Sequence, residues 1–199
     1  MIAVITGDVI NSREGKVLNW LNYLKKILNH YGREPLEWEI FRGDSFQLSI
    51  TPKNALLAAI HIKAGIKQTK EYDVRMAIGL GEETHRSKKI TESNGSAYVL
   101  SGECFDSLKK QTLAIRSANQ GMDKGLNLML SLALLTANNW SSTEAKAITL
   151  ALEHPDKNQS AIVKLLNKSQ SSVSEALKRG GYDEIMNLNS HYQQQIQSL

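Results

Sequence analysis

Two stretches, IAVITGDVINS at 2–12 and WEIFRGDSFQLSI at 38–50, decide the fold of this chain. The run from Ile2 to Thr6 is apolar and rich in β-branched residues, the pattern of a central strand buried on both faces. It ends at Gly7-Asp8 and a polar turn, Asn11-Ser12. In the second stretch Trp38 and Ile40 alternate with Glu37 and Glu39, and Phe46, Leu48 and Ile50 alternate with Ser45, Gln47 and Ser49. Two period-two runs around Arg42-Gly43-Asp44 predict a β-hairpin.

Outward from these strands the periodicity changes. Val17, Trp20 or Leu21, Leu24, Ile27 or Leu28, and Tyr31 recur at helical spacing, with Gly32 closing the helix. Pro52 opens a second helix, predicted from Asn54 to about Gln68. Val74, Met76, Ile78 and Leu80 alternate as a strand, with Gly79 and Gly81 on the opposite face, where another backbone or a ligand comes close. A short helix from Ser101 to Lys110 and a strand from Thr112 to Ser117 follow. The order β-α-β-β-α-β predicts an α+β, ferredoxin-like domain with an appended helix and strand. That topology makes the first and third strands adjacent and antiparallel. Asp8, ending the first, and Asp44, opening the third, are then expected at one sheet edge.

Beyond Gly121 the pattern is purely helical. Leu126 to Asn138 reads as one helix and Ser141 to Leu152 as another, with Ser141 and Glu144 at capping-box spacing. His154-Pro155-Asp156 breaks the chain before three shorter helices. The expected division is therefore a sheet domain at 1–120 and a helical domain at 121–199. Within the latter, QSAIVKLLNKSQSSVSEALKR at 159–179 reads as a helix-turn-helix. Ile162, Val163, Leu165 and Leu166 form one apolar face, Asn167-Lys168-Ser169 the turn, and Val173, Ala176 and Leu177 the second face; Ser171 or Ser172 caps the second helix. Gln170, Ser171, Ser172, Ser174 and Glu175 would then face base edges, with Lys168, Lys178 and Arg179 on phosphates. Tyr182, Ile185, Asn189, Tyr192, Ile196 and Leu199 form a stripe suited either to a homodimer seam or to packing on the domain.

Composition narrows the classes. The chain has 199 residues, 41% hydrophobic, with a net charge of +4, enough apolar surface to exclude wholesale disorder. One cysteine, Cys104, excludes an internal disulfide and is expected to be a small buried hydrophobe. The five histidines show no metal-ligand spacing and read as surface or helix-face residues. No signal peptide is visible, and no apolar run approaches the ~20 residues of a membrane span; a soluble cytoplasmic protein is the expectation. The basic excess lies before residue 138, and the tail is neutral apart from a cluster at 164–179, so DNA is favoured only locally.

Two carboxylates meeting at strand ends beside glycines suit a divalent cation with a nucleotide, because Mg²⁺ takes oxygen ligands and keeps phosphate oxygens. The candidate set is Gly7, Asp8, Val9, Arg42, Gly43 and Asp44, with Asp8 and Asp44 as ligands of Mg²⁺ or Mn²⁺ and the Val9 carbonyl as a third oxygen. The alternative is that both aspartates are turn residues bonding their own backbone.

TGDVINSRE (6–14), RGDSFQL (42–48), VRMAIGLGEE (74–83) and ESNGSAY (92–98), with the tail helices, resemble the SatD family of bacterial proteins over nearly the whole chain. More distantly the layout is similar to the palm of class III nucleotide cyclases and GGDEF-type diguanylate cyclases. That resemblance implies metal-holding roles for Asp8 and Asp44. Class III cyclases also use an Asn and an Arg on the later helix; SAYVLSGECF (96–105) has neither, so binding without efficient turnover is expected. Three readings follow: a DNA-binding regulator with a nucleotide-sensing palm, a metal-dependent nucleotidyl cyclase or transferase, and a non-catalytic dimerisation module.

Overall fold

A computed structural model describes residues 1–155 and 159–197. Asp156 and Leu199 lie outside the described residues. The elements are β1 (Ile2–Ile10), α1 (Val17–Tyr31), β2 (Trp38–Phe41), β3 (Ser45–Ile50), α2 (Pro52–Lys67), β4 (Asp73–Gly81), α3 (Ser96–Ser107), β5 (Leu113–Arg116), α4 (Gln120–Ala137), α5 (Ser142–Glu153), α6 (Gln159–Leu166), α7 (Gln170–Arg179) and α8 (Tyr182–Ile196). The fold is α+β, with a five-stranded sheet in the order β2-β3-β1-β4-β5, antiparallel except for the β4–β5 pair.

Alternation along β1 sorts its side chains. Ala3, Ile5 and Val9 enter the main core with Trp20, Leu24 and Leu28 of α1 and Ala55, Ala59 and Ile62 of α2. Val4 packs on the other face with Ala97 and Tyr98 of α3. The α3 helix lies directly on β4: a Cβ on Gly79 would stand 2.2 Å from the Ala97 carbonyl oxygen and 2.4 Å from the Ser101 nitrogen. Of the two roles open to the β4 glycines, Gly79 serves the approach of another backbone.

α3 starts five residues before the position expected from the sequence. Its N-cap is Gly95, at φ 154°, without a capping side chain. Likewise α4 starts at Gln120 rather than Leu126, capped by the Asn119 side chain, which accepts from the Met122 N–H. The capping box of α5 forms as expected: Ser141 accepts from the Glu144 N–H and Glu144 from the Ser141 N–H.

The helices after residue 120 do not stand apart. Leu126, Leu130, Leu134, Ala145, Ile148, Val173, Ile185 and Tyr192 belong to the same core cluster as the α1–α2 face of the sheet. Tyr192 donates to the Pro52 carbonyl at 2.7 Å, Lys67 to the Asn138 carbonyl at 2.7 Å, and Ser142 to the Gln68 carbonyl at 2.6 Å. Ile185, Asn189, Tyr192 and Ile196 are buried inside the chain, so the α8 stripe serves intramolecular packing. No helix among the described residues is long and apolar enough to cross a membrane.

Candidate functional site

The three-residue turn between β2 and β3 has positive φ at both Arg42 (53°) and Gly43 (96°), a left-handed backbone that glycine adopts freely. It returns the chain so that Ser45 faces Asp8 across the β1–β3 ladder, and the Val9 N–H donates to the Asp44 carbonyl at 3.2 Å. The two aspartates therefore stand near the same end of neighbouring strands, although β1 runs on to Ile10 and does not end at Asp8 as expected, because Val9 and Ile10 continue the ladder with β4. Their carboxylates have separate partners. Asp44 accepts from the Ser12 hydroxyl at 2.5 Å. Asp8 accepts twice from Arg75, from Nη2 at 2.6 Å and Nε at 3.1 Å, a bidentate pair.

Arg75 is the residue directly opposite Asp8 on β4. Its guanidinium lies 5.0 Å from the centroid of the Phe105 ring on α3, a cation–π contact from beneath. The hydrogen bonds to Asp8 hold the arginine proton more tightly than usual, outweighing the opposing effect of partial burial. The pair is not sealed: 23% of the Asp8 side chain and 35% of the Arg75 side chain are exposed, so solvent ions reach it. Next along the same face, Gln47 donates to Thr6 (3.4 Å), Thr6 and Ser101 share a bond of 2.9 Å, and Ser101 donates to the Tyr98 carbonyl (2.9 Å). The result is a polar strip from β3 across β1 to α3.

Of the other candidates, Gly7 is buried because a Cβ there would stand 2.6 Å from the Phe46 ring, and the Val9 side chain belongs to the core. Arg42 and Gly43 are exposed at the turn. Among the described residues there is no group of three or more His, Cys, Asp or Glu side chains arranged to hold a metal ion. Arg75 is the neighbour of Asp8 that the strand-end motifs do not contain. Its signal was present, since alternation along β4 buries Val74 and Met76 and turns Arg75 to the Asp8 face.

At the other end of the chain, Asn167 has φ 51° in the turn between α6 and α7. The cap of α7 is Ser169, not Ser171 or Ser172: its hydroxyl accepts from the Ser172 N–H at 3.2 Å and bonds the hydroxyls of Ser171 (3.0 Å) and Ser172 (2.8 Å). Val173, Ala176 and Leu177 are buried, while Lys168, Gln170, Ser171, Ser172, Ser174, Glu175, Lys178 and Arg179 are exposed. Leu165, expected on the apolar face of α6, is 49% exposed. Arg179 bonds Glu144 (3.1 Å) and Glu175 (3.4 Å), whereas Lys168 and Lys178 make no ion pair among the described residues.

Two other features lie apart from both sites. A cleft of about 930 Å³ runs between α3, β5 and the start of α4, lined by Lys109, Lys110, Arg116 and Lys124. His61, against expectation, is buried between α1, α2 and α5; its Nδ1 bonds the Tyr31 hydroxyl at 3.0 Å and its Nε2 lies 3.8 Å from Glu153. Cys104 is buried as expected, and burial pushes its thiol up to about 11.

No protein-family model matches this chain, and no curated protein does.

Proposed function

We propose that this chain is a SatD-like DNA-binding regulator. A ferredoxin-like, palm-related domain senses a nucleotide or metal–nucleotide and is catalytically weak or inactive, and α6–α7 form a helix-turn-helix. The observation that carries the DNA reading is the first turn of α7. Its hydroxyl and amide side chains are exposed, and Lys168 and Lys178 flank them without an ion pair among the described residues. Such a turn offers donors and acceptors to base edges and cations to phosphates. Arg179 would have to leave Glu144 to join them.

The strand order β2-β3-β1-β4 supports the ferredoxin-like reading, since that order places β1 and β3 side by side at the sheet centre. For the sensing role, Asp8 and Asp44 would hold Mg²⁺ or Mn²⁺, with the Val9 carbonyl as a further donor. A divalent cation would supply neutralisation of the ligand's phosphates. Because Arg75 engages both oxygens of Asp8, the cation and the guanidinium compete for that carboxylate. Arg75 released from Asp8 is a phosphate ligand in its own right.

The test is a mobility-shift assay on genomic fragments at low salt, with and without each nucleoside triphosphate and Mn²⁺. Retarded DNA that is lost in K168A/K178A supports the reading; no association under any condition ends it. The rival reading, a nucleotidyl cyclase or transferase, is favoured by one observation, the shared strand end of Asp8 and Asp44. It requires a product from some triphosphate with Mg²⁺ or Mn²⁺ that disappears in Asp8→Asn and Asp44→Asn.

A further inference from the structure

α4 carries a face that nothing among the described residues covers. Leu128, Leu132 and Leu135 are 64%, 61% and 70% exposed, while Leu126, Leu130 and Leu134 of the same helix are buried. The uncovered positions run Gly121, Gly125, Leu128, Leu132, Leu135, Asn139, a 4-3-4-3-4 spacing. That is the repeat of a helix-to-helix seam rather than of a scattered surface. Its two halves differ in size. The N-terminal half offers glycines: Gly125 has no atom within 4 Å of where its Cβ would stand, and Gly121 meets only Asn119 Oδ1, at 3.5 Å. The C-terminal half offers large leucines. A glycine inside a helix weakens it relative to alanine, and no neighbour within the chain needs the space at Gly125.

We propose that this face pairs with a second copy of the chain, α4 against α4 in antiparallel orientation about a two-fold axis passing near Leu130. In that register Leu128 meets Leu132 of the partner helix, and Leu135 lies over Gly125 of the partner helix. Leu135 of each copy then fills the space the other leaves at Gly125 while the central leucines pack on each other, the self-complementarity an isologous contact requires. The four exposed apolar side chains, Leu128, Met129, Leu132 and Leu135, present on the order of 400 Å². The groove between α4 and α8, floored by Ala133 and walled by Leu188, adjoins them and extends the contact. Together they stay below the roughly 800 Å² per partner of a standard interface, which is the size of a weak, concentration-dependent contact. The proposal rests on α4 alone and stands whether or not α7 meets DNA.

The test is sedimentation velocity on the full chain across roughly 1–100 μM, the range in which a small interface associates, with three variants. Wild type is expected at twice the chain mass. Leu132→Glu is expected to be monomeric throughout with an unchanged circular dichroism spectrum, because the side chain is solvent-exposed within one chain. Gly125→Leu adds apolar surface where the single chain has open space. It is nevertheless expected to weaken association at least about tenfold, since it occupies the place of the partner's Leu135. Under mild oxidation L128C/L132C is expected to cross-link and L132C alone not to. A wild-type monomer at every concentration overturns the proposal, as does a dimer indifferent to Gly125→Leu. Cross-linking of L132C alone as efficient as that of the pair overturns the antiparallel register.

Discussion

Arg75→Ala removes a two-point hydrogen bond to Asp8 and the stacking on Phe105 while leaving the β4 backbone intact. The pair is partly exposed, so the loss is expected near 1 kcal/mol, read as a lower urea midpoint. The same variant frees both Asp8 oxygens. If cation and guanidinium compete there, Arg75→Ala binds Mn²⁺ more tightly than wild type by equilibrium dialysis or calorimetry, and Arg75→Lys falls between the two. Equal affinity in all three would remove the competition from the proposed sensing role. A second residue-scale prediction concerns His61. Burial pushes its imidazole down to about 4, with His30 and Lys26 adding to the fall and Glu153 opposing it. The folded state therefore binds the proton less readily than the unfolded chain, whose histidine titrates near 6.5. Stability is held above pH 6.5, declines as pH falls toward about 4 and levels off below it, a loss of roughly 2 kcal/mol at pH 5. Chemical denaturation at pH 7 and pH 5 measures the decline, and His61→Gln should remove this part of it while carboxylate titrations remain.

At the scale of elements, two contacts hold the α3 side and the sheet edge. Gly79→Ala sets a methyl group against the backbone of α3, and neither α3 nor β4 has a flexible side chain there to move aside. A loss of about 1–3 kcal/mol is expected, visible as a drop in thermal midpoint. The edge strand β5 is closed by a side chain: Asn127 accepts from the Ile115 N–H and donates to the Ile115 carbonyl, both at 2.8 Å, as a neighbouring strand would. Asn127→Ala leaves that pair open at a sheet edge. It is expected to destabilise by about 2 kcal/mol and to raise light scattering on heating, because an unpaired edge recruits other chains. Helix starts were the least legible elements. α7 offers a serine at 169, 171 and 172, and local pattern does not choose among them; the turn geometry after Asn167 selects Ser169. The glycines at 121 and 125 precede the start expected at Leu126, yet they lie inside α4, whose opposite face is anchored in the core by Leu126, Leu130 and Leu134.

For the molecule as a whole, the shared core has consequences for any signal between its ends. α2 carries both sheet contacts and the anchor of α8 through Pro52 and Tyr192, so a ligand that shifted β1 would reach the helices through packed side chains. If α7 binds DNA, few cations are available to it. The salt dependence of binding is expected to be shallow, with a slope of about −2 per chain in log K against log salt, reduced by about 1 in Lys168→Ala or Lys178→Ala. A titration of binding across salt concentrations checks both numbers, and a dimer would double the slope.

The sequence by itself determined the strands, the hairpin and the amphipathic helices, because burial of one face imposes a period that any short window displays. The β-α-β-β-α-β order also led to the expectation that Asp8 and Asp44 lie near one end of adjacent strands, but the strand order that brings them there is a property of the folded sheet. Tertiary structure decided the partners of those carboxylates. Arg75 meets Asp8 through a register set by the whole β1–β4 ladder, across 67 positions of chain. It also decided that the α8 stripe is spent inside the chain while that of α4 is left in solvent. Both stripes carry helical apolar spacing, and only the placement of the rest of the chain distinguishes a covered face from a bare one.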